Sequence, residues 1–191
     1  MFTQQLRPAV SLLIAMTVLL GIGYPLVITG IARLALTSQA EGSLLRNDGR
    51  VVGSRLIGQA FSDPKHFWGR PSATTPQPYT GVGSTGSKLG PLNPALLDQV
   101  NANAKALRDA DSGNKQLVPV DLVTASASGL DPEISVAGAR YQAGRVASAR
   151  GIPVAQVEAL ISAHQEGRLL GFLGEPRVNV LELNLALDGQ R

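Results

Sequence analysis

One membrane-spanning helix at the amino end followed by a mixed α/β (α+β) soluble domain is the fold this sequence predicts, on three observations. Residues 8–32, PAVSLLIAMTVLLGIGYPLVITGIA, hold no charge between Arg7 and Arg33, and about 20 such residues suffice to cross the hydrocarbon core of a bilayer. The remaining chain alternates short β-branched runs with stretches at helical spacing, the pattern of a mixed domain. No shift in composition divides residues 35–191, which are ample for a single core. The predicted organisation is a tail and span over 1–34 and a soluble domain over 35–191.

The span dilutes the charge of the whole chain to 16%, below the usual quarter for soluble proteins. Its Pro25 is no obstacle, because transmembrane helices tolerate proline. A cleavable leader is the competing reading, with Arg7 as basic flank and Ser38-Gln39-Ala40 as the cleavage site; it would release a secreted binding protein starting at Glu41. The apolar run is much longer than the ~7–15 residues of a leader's core, which favours an uncleaved anchor. A buried helix of a soluble protein is disfavoured, since such a helix keeps a polar face. Arg7 and the terminal amine slightly outweigh Arg33, so the positive-inside rule leans toward an inside amino terminus and a soluble domain outside the cytoplasm. Cysteine is absent, so no disulfide supports the fold.

Beyond the anchor, SLLRNDGRVVGSRLIG reads as two strands joined by Asp48-Gly49, a pair suited to the positive φ of a hairpin turn. Residues 61–94 are rich in Pro, Gly, Ser and Thr without apolar periodicity, a long irregular loop of a kind that is often functional. Asn93-Pro94 then opens a helix in which Leu96, Leu97, Val100, Ala104 and Leu107 recur at helical spacing to about Ala110. VPVDLVTASASG, Val118–Gly129, reads as a central strand running into a loop. Two amphipathic helices follow, Ser135 to Arg150, stopped by Gly151, and Pro153 to Gln165. VNVLELNLALD reads as a closing strand ending near Ala186.

Two stretches invite a functional reading. GVGSTGSK, Gly81–Lys88, has G-x-G-x-x-G spacing, but it follows PSATTPQPYT rather than a strand, and two prolines delay the next helix to Pro94. Nor does it match a Walker loop, because Ser87 separates Gly86 from Lys88. A wrapped surface loop is the favoured reading, a phosphate cradle the alternative. TASASG ends the expected strand, where open α/β sheets place ligands, and Gly129 permits close backbone approach; small-residue packing is the equal alternative. Asp121 and Asp131 bracket that tract, and Asp131 before Pro132 reads as a turn initiator. With two histidines, no cysteine and no G-x-S-x-G elbow, neither a hydrolytic triad nor a metal centre is expected. The basic residues are scattered, which gives no support for nucleic-acid binding.

LRPAVSLLIAMTVLLGIGYPL, GSRLIGQAF, FWGRPSAT, STGSKLGPLNP, VPVDLVTASASGLDPEIS and VNVLELNLALD, in this order over nearly the whole chain, resemble the C subunit of the Kdp-type potassium-transporting P-type ATPases. The resemblance implies an accessory, non-catalytic subunit, single-pass in the plasma (inner) membrane. Its partners would be a potassium-channel-like subunit that selects the ion, a P-type catalytic subunit that hydrolyses ATP, and a small membrane peptide. It also implies a role in assembly and as a catalytic chaperone that raises the catalytic subunit's ATP affinity, with no tightly bound cofactor and ATP met only through the complex. The nucleotide contacts expected on that basis are Ser84, Gly86, Ser87 and Lys88 with Thr124, Ser126, Ser128 and Gly129. The family's usual S-G-G-S-N loop stands here as Ser84-Thr85-Gly86-Ser87-Lys88, departing at Thr85 and Lys88. Phe67, Trp68 and Arg70, with Tyr24 and Pro25, are the expected docking residues, being types enriched at interfaces. Nucleotide contact demands a cytoplasmic domain, whereas the charge bias puts it outside, and the outside placement is preferred. A membrane-anchored nucleotide-binding protein or enzyme acting independently is the alternative function.

Overall fold

The structure, a computed structural model, describes residues 2–189. The chain forms two compact units, Met1–Leu44 and Leu45–Arg191. In the first, α1 (Phe2–Met16), a π-helical stretch Thr17–Gly23 and α2 (Tyr24–Ala35) make one uninterrupted helix. Its 32 residues from Gln4 to Ala35 have a mean hydropathy of 2.2 in their most apolar window, none of it buried. Leu12, Leu13, Leu20 and Leu26 are all more than half exposed, a surface stable in lipid or against apolar partners and not in water. The wide turn has a local cause. Pro25 has no N–H for the Gly21 carbonyl and its ring crowds that oxygen; Tyr24 N–H reaches back to Leu19 O, a five-residue register that absorbs the misfit. A short helical turn, α3 (Thr37–Ala40), follows.

From the last residue of the first unit onward, β1 (Leu44–Asn47) and β2 (Arg50–Ser54) form the expected hairpin, and the elements after it belong to the second unit. Asp48 and Gly49 both take positive φ, 49° and 77°, as a tight primed turn requires. The helix α4 (Pro94–Ala110) starts where expected, with Asn93 Oδ1 accepting from Ala95 N–H at 3.0 Å. A three-stranded antiparallel sheet has the order β3 (Glu133–Ser135), β5 (Arg177–Asn179), β4 (Gln165–Glu166), with Ile134 opposite Val178 and Gln165 opposite Val178 on the other side. The helix α5 (Val136–Arg150) is capped by Ser135 Oγ and stopped by Gly151 at φ 67°, where glycine avoids the Cβ strain of the left-handed region. α6 (Val154–Ala163) and α7 (Val180–Asp188) complete a core built on Ile134, Val146, Val157, Ile161, Val178 and Leu183.

One expected strand is absent and another is mostly helix. Val118–Gly129 is a 3₁₀ turn at Val120–Leu122 followed by irregular chain. Pro119 cannot donate to a ladder, and Thr124 Oγ1 donates to Val120 O at 2.7 Å, closing the backbone on itself. Leu122 and Val123 are still buried, so the apolar pattern reported burial and not strand pairing. VNVLELNLALD is strand only to Asn179 and then helix. Asn179 Oδ1 accepts from Glu182 N–H at 3.1 Å, and Val180, Leu183, Asn184 and Leu187 are buried at i, i+3, i+4 and i+7, which is helical spacing. The second expected helix is also shorter, because Gln165 belongs to β4.

The 61–94 segment has no regular element, yet it is bolted to the core. Phe67 is 0% exposed; its N–H donates to Asn184 Oδ1 at 2.8 Å and its carbonyl accepts from Asn184 Nδ2 at 3.0 Å. Gln142 repeats the arrangement on Trp68, accepting from its N–H at 2.8 Å and donating to its carbonyl at 3.1 Å. Arg145, 5% exposed, donates to Pro64 O at 2.6 Å and His66 O at 3.1 Å and stacks 4.5 Å from the Trp68 ring centroid. Burial depresses its pKa to about 10, opposed by the charges of Asp111 and Asp63. Side-chain amides and a guanidinium thus supply what a neighbouring strand would supply elsewhere. Phe67 is a core residue with no surface to offer a partner, and Trp68 is committed to Arg145 and, through Nε1–H, to Asp63 O at 3.1 Å. Phe67 and Trp68, two of the five residues expected at docking, are bound into the fold.

Candidate functional site

Ser84 and Ser128 lie 44 positions apart in sequence and touch in the fold. Thr85 N–H donates to Ser128 O at 2.9 Å, and Ser84 Oγ donates to the same oxygen at 3.1 Å. The glycine-rich loop is laid along TASASG, and together with Arg70 they open a cleft of about 720 Å³ lined by Ser84, Thr85, Gly86, Ser87, Lys88 and Ser126. The glycines explain the fit. A Cβ on Gly86 would lie 2.9 Å from Ala127 O, and one on Gly129, at φ 68°, would lie 2.6 Å from Thr85 O. Position 85 is not among the positive-φ residues, so threonine sits there without left-handed strain. Lys88 sits at φ 56°, a left-handed region that residues other than Gly, Asn and Asp seldom adopt.

The cleft's hydroxyls are largely committed to its own backbone. Ser126 Oγ, on a residue 2% exposed, accepts from Gly129 N–H at 2.9 Å, and Ser128 Oγ accepts from Leu130 N–H at 3.1 Å. Thr124 closes the 3₁₀ turn and is not among the residues that line the cleft. Arg70 donates to Asp131 Oδ2 at 3.0 Å, and its Nε is buried without an acceptor among the described residues. Asp131 Oδ1 accepts from Glu133 N–H at 3.0 Å, the turn role expected of it. Asp121 is equally occupied, by Ser135 N–H at 2.7 Å and Ser135 Oγ at 3.1 Å. The exposed Lys88 ammonium is the cation at the cleft with no partner among the described residues. Such a site suits one small anionic group and lacks the converging N–H groups of a helix-borne phosphate cradle.

Tyr79 Oη donates to Arg70 O, and burial, aided by Asp131 and opposed by Arg70, raises its pKa to about 12. An unfolded tyrosine ionises near ~10. The folded state therefore holds this proton more tightly, and the contribution is complete below pH ~10 and lost as pH rises toward 12. Tyr79→Phe should make the alkaline decline of the unfolding midpoint shallower between pH 9 and 12; an unchanged slope would contradict this assignment.

Residues 6–189 match the family model described as K+-transporting ATPase, c chain. The chain belongs to the KdpC family. It is 62% identical to a potassium-transporting ATPase KdpC subunit of Sorangium cellulosum (strain So ce56), over 97% of this chain and 98% of that one. Identity to the KdpC subunit of Variovorax paradoxus (strain S110) is 62%, covering 96% and 95% of the two chains. With that of Methylibium petroleiphilum it is 60%, covering 97% of each.

In this KdpC chain, the structure brings Ser84, Gly86, Ser87, Lys88 and Ser126 together around one cleft and adds Arg70, which the sequence suggested for docking. Ser128 and Gly129 support that cleft from behind. Tyr24 is 60% exposed on the apolar helix and Pro25 lies beside it. Gln142, Asn184 and Arg145 were not singled out by sequence. Their one legible signal is a long polar side chain at the apolar positions of a helix, as in LELNLAL.

Proposed function

We propose that this chain is the membrane-anchored accessory subunit of an ATP-driven potassium uptake complex, held by one span in the plasma membrane with its second unit outside the cytoplasm. There it supports assembly, while ion selection belongs to a potassium-channel-like subunit and hydrolysis to a P-type catalytic subunit, with a small membrane peptide as the remaining partner. The observation carrying this reading is the pairing of one exposed apolar helix with near full-length similarity to proteins called KdpC subunits. The cleft supports a second reading. Lys88 and the nearby Arg70 favour an anion, and a nucleotide phosphate is the anion a chaperone of ATP binding would meet.

Topology separates the two. The chain has no cysteine, and Ser112 is exposed just after α4. Ser112→Cys should be labelled by a membrane-impermeant thiol reagent in intact spheroplasts, which supports the outside assembly role. Labelling only after lysis would overturn that placement and support the nucleotide reading.

A further inference from the structure

A second depression, sharing no residue with the cleft, lies where the turn after α4 meets α5 and the first turns of α6. It measures about 360 Å³ and is lined among others by Asp111, Arg140, Tyr141, Gly144, Val154 and Glu158. Asn114 pins its rim, with Nδ2 donating to Tyr141 O at 2.9 Å and Oδ1 accepting from Gln116 N–H at 3.0 Å. Three of its features have no use within the fold. Tyr141 is 3% exposed, and its Oη is buried without a partner among the described residues, whereas buried tyrosine hydroxyls ordinarily find one. Burial raises the pKa of that hydroxyl, opposed by Arg108 and aided by Asp111, so both charges lie close to it. Gly144 stands in the middle of α5, where glycine is disfavoured against alanine, although a Cβ there would meet nothing within 4 Å. Packing does not call for glycine at this position; its missing side chain leaves the depression open. Asp111, Arg140 and Glu158 form no ion pair among the described residues, unlike Arg70, Arg150 and Arg177.

We propose that this depression binds a free basic amino acid, a molecule with one carboxylate and two cationic groups. The charges choose the ligand. The lining carries two carboxylates and one guanidinium, the reverse of lysine or arginine, and neither a plain cation nor a plain anion leaves all three matched. The helix ends set its direction. Asp111 follows the carboxyl end of α4, the negative pole of that helix, and so takes an ammonium. This ammonium donates to the Asp111 carboxylate and to Tyr141 Oη, supplying the partner that oxygen lacks. The hydroxyl is closed from solvent, so the ligand reaches it as the exposed Arg108 side chain beside it turns aside. Val154 opens α6, whose first N–H groups have no acceptor within the helix, and together with Arg140 they take the ligand's carboxylate. Glu158, one turn further along α6, holds the second cation. The size agrees, since sites for small molecules begin near ~300 Å³.

The test titrates the full-length chain in mild detergent with L-lysine and L-arginine by calorimetry, with L-leucine and cadaverine as comparisons. A basic amino acid should bind at least about tenfold more tightly than either comparison, since leucine lacks the second cation and cadaverine the carboxylate. No binding of lysine or arginine up to ~10 mM, or equal binding of leucine or cadaverine, overturns the proposal. Gly144→Leu and Tyr141→Phe place the site. Neither removes a bond the chain makes within itself, so the unfolding midpoint read from Trp68 fluorescence should hold. Gly144→Leu should abolish the rise in that midpoint that the bound amino acid gives wild type, and Tyr141→Phe should weaken binding about fivefold. Undiminished binding by Gly144→Leu puts the ligand elsewhere on the chain and overturns the assignment. Glu158→Gln gives a reading that no loss of fold imitates: leucine binding should stay as in wild type while the preference for lysine over leucine disappears. A retained preference in that variant overturns the charge match.

Discussion

Replacing Asn184 with leucine lowers the unfolding free energy of the full-length chain by about 3 kcal/mol, although the two side chains are similar in size. Asn184 is 2% exposed, and its amide answers both the N–H and the carbonyl of the fully buried Phe67. Leucine adds apolar contact but leaves those two backbone groups without partners, and each orphan costs about 1–3 kcal/mol. Gln142→Leu acts the same way on Trp68, and it also strips Arg145 of the bond its guanidinium donates to Gln142 Oε1 at 2.7 Å. The double variant should fall short of the sum, because Phe67 and Trp68 are neighbours and leave together. Trp68 is the chain's one tryptophan, so denaturant unfolding in detergent can be followed by its fluorescence. A loss of less than about 1 kcal/mol for Asn184→Leu would show that the clamp is not what holds the segment.

Gly129→Ala costs about 2–4 kcal/mol and loosens the candidate site with it. The backbone sits at φ 68°, and a methyl group there would lie 2.6 Å from both Thr74 Cγ2 and Thr85 O. Thr74 can turn, but Thr85 O belongs to the chain that lies along Ser128, so the loop must move. Losing that contact frees Lys88, and trypsin should cut after it at low protease concentrations that leave wild type intact. Gly90→Ala is the control. Nothing lies within 4 Å of a Cβ at Gly90, whose φ is not positive, and the change should stay within about 0.5 kcal/mol. Equal protease resistance of Gly129→Ala and wild type would mean that the two loops are not coupled through Gly129.

The long apolar helix was legible in the sequence because hydropathy over 25 residues is a property of the segment alone. The same holds for the Asp48-Gly49 turn, the Asn93 cap and the Gly151 stop, each answering a backbone need within a few residues of itself. VNVLELNLALD failed because a short apolar run satisfies both periods; the Asn179 to Glu182 cap, visible in the letters, was the signal that favoured helix. Val118–Gly129 failed for another reason. Leu122 and Val123 are buried, as a strand's residues would be, but Val120 is 71% exposed, and Pro119 and the bond from Thr124 Oγ1 to Val120 O leave no ladder to join.

By itself, then, the sequence determined the long apolar amino-terminal helix, the mixed class of the second unit, the positions of most helices and the two glycine- and serine-rich loops of the cleft. Tertiary structure alone decided that Phe67 is fully buried in the core, that the two loops share a cleft with Arg70, and that Leu169–Leu173 is exposed. The reason is the range of the forces. Periodicity, capping and turn chemistry act over a few residues, whereas the bond from Phe67 to Asn184 spans 117 positions, and no local pattern in either segment encodes its partner.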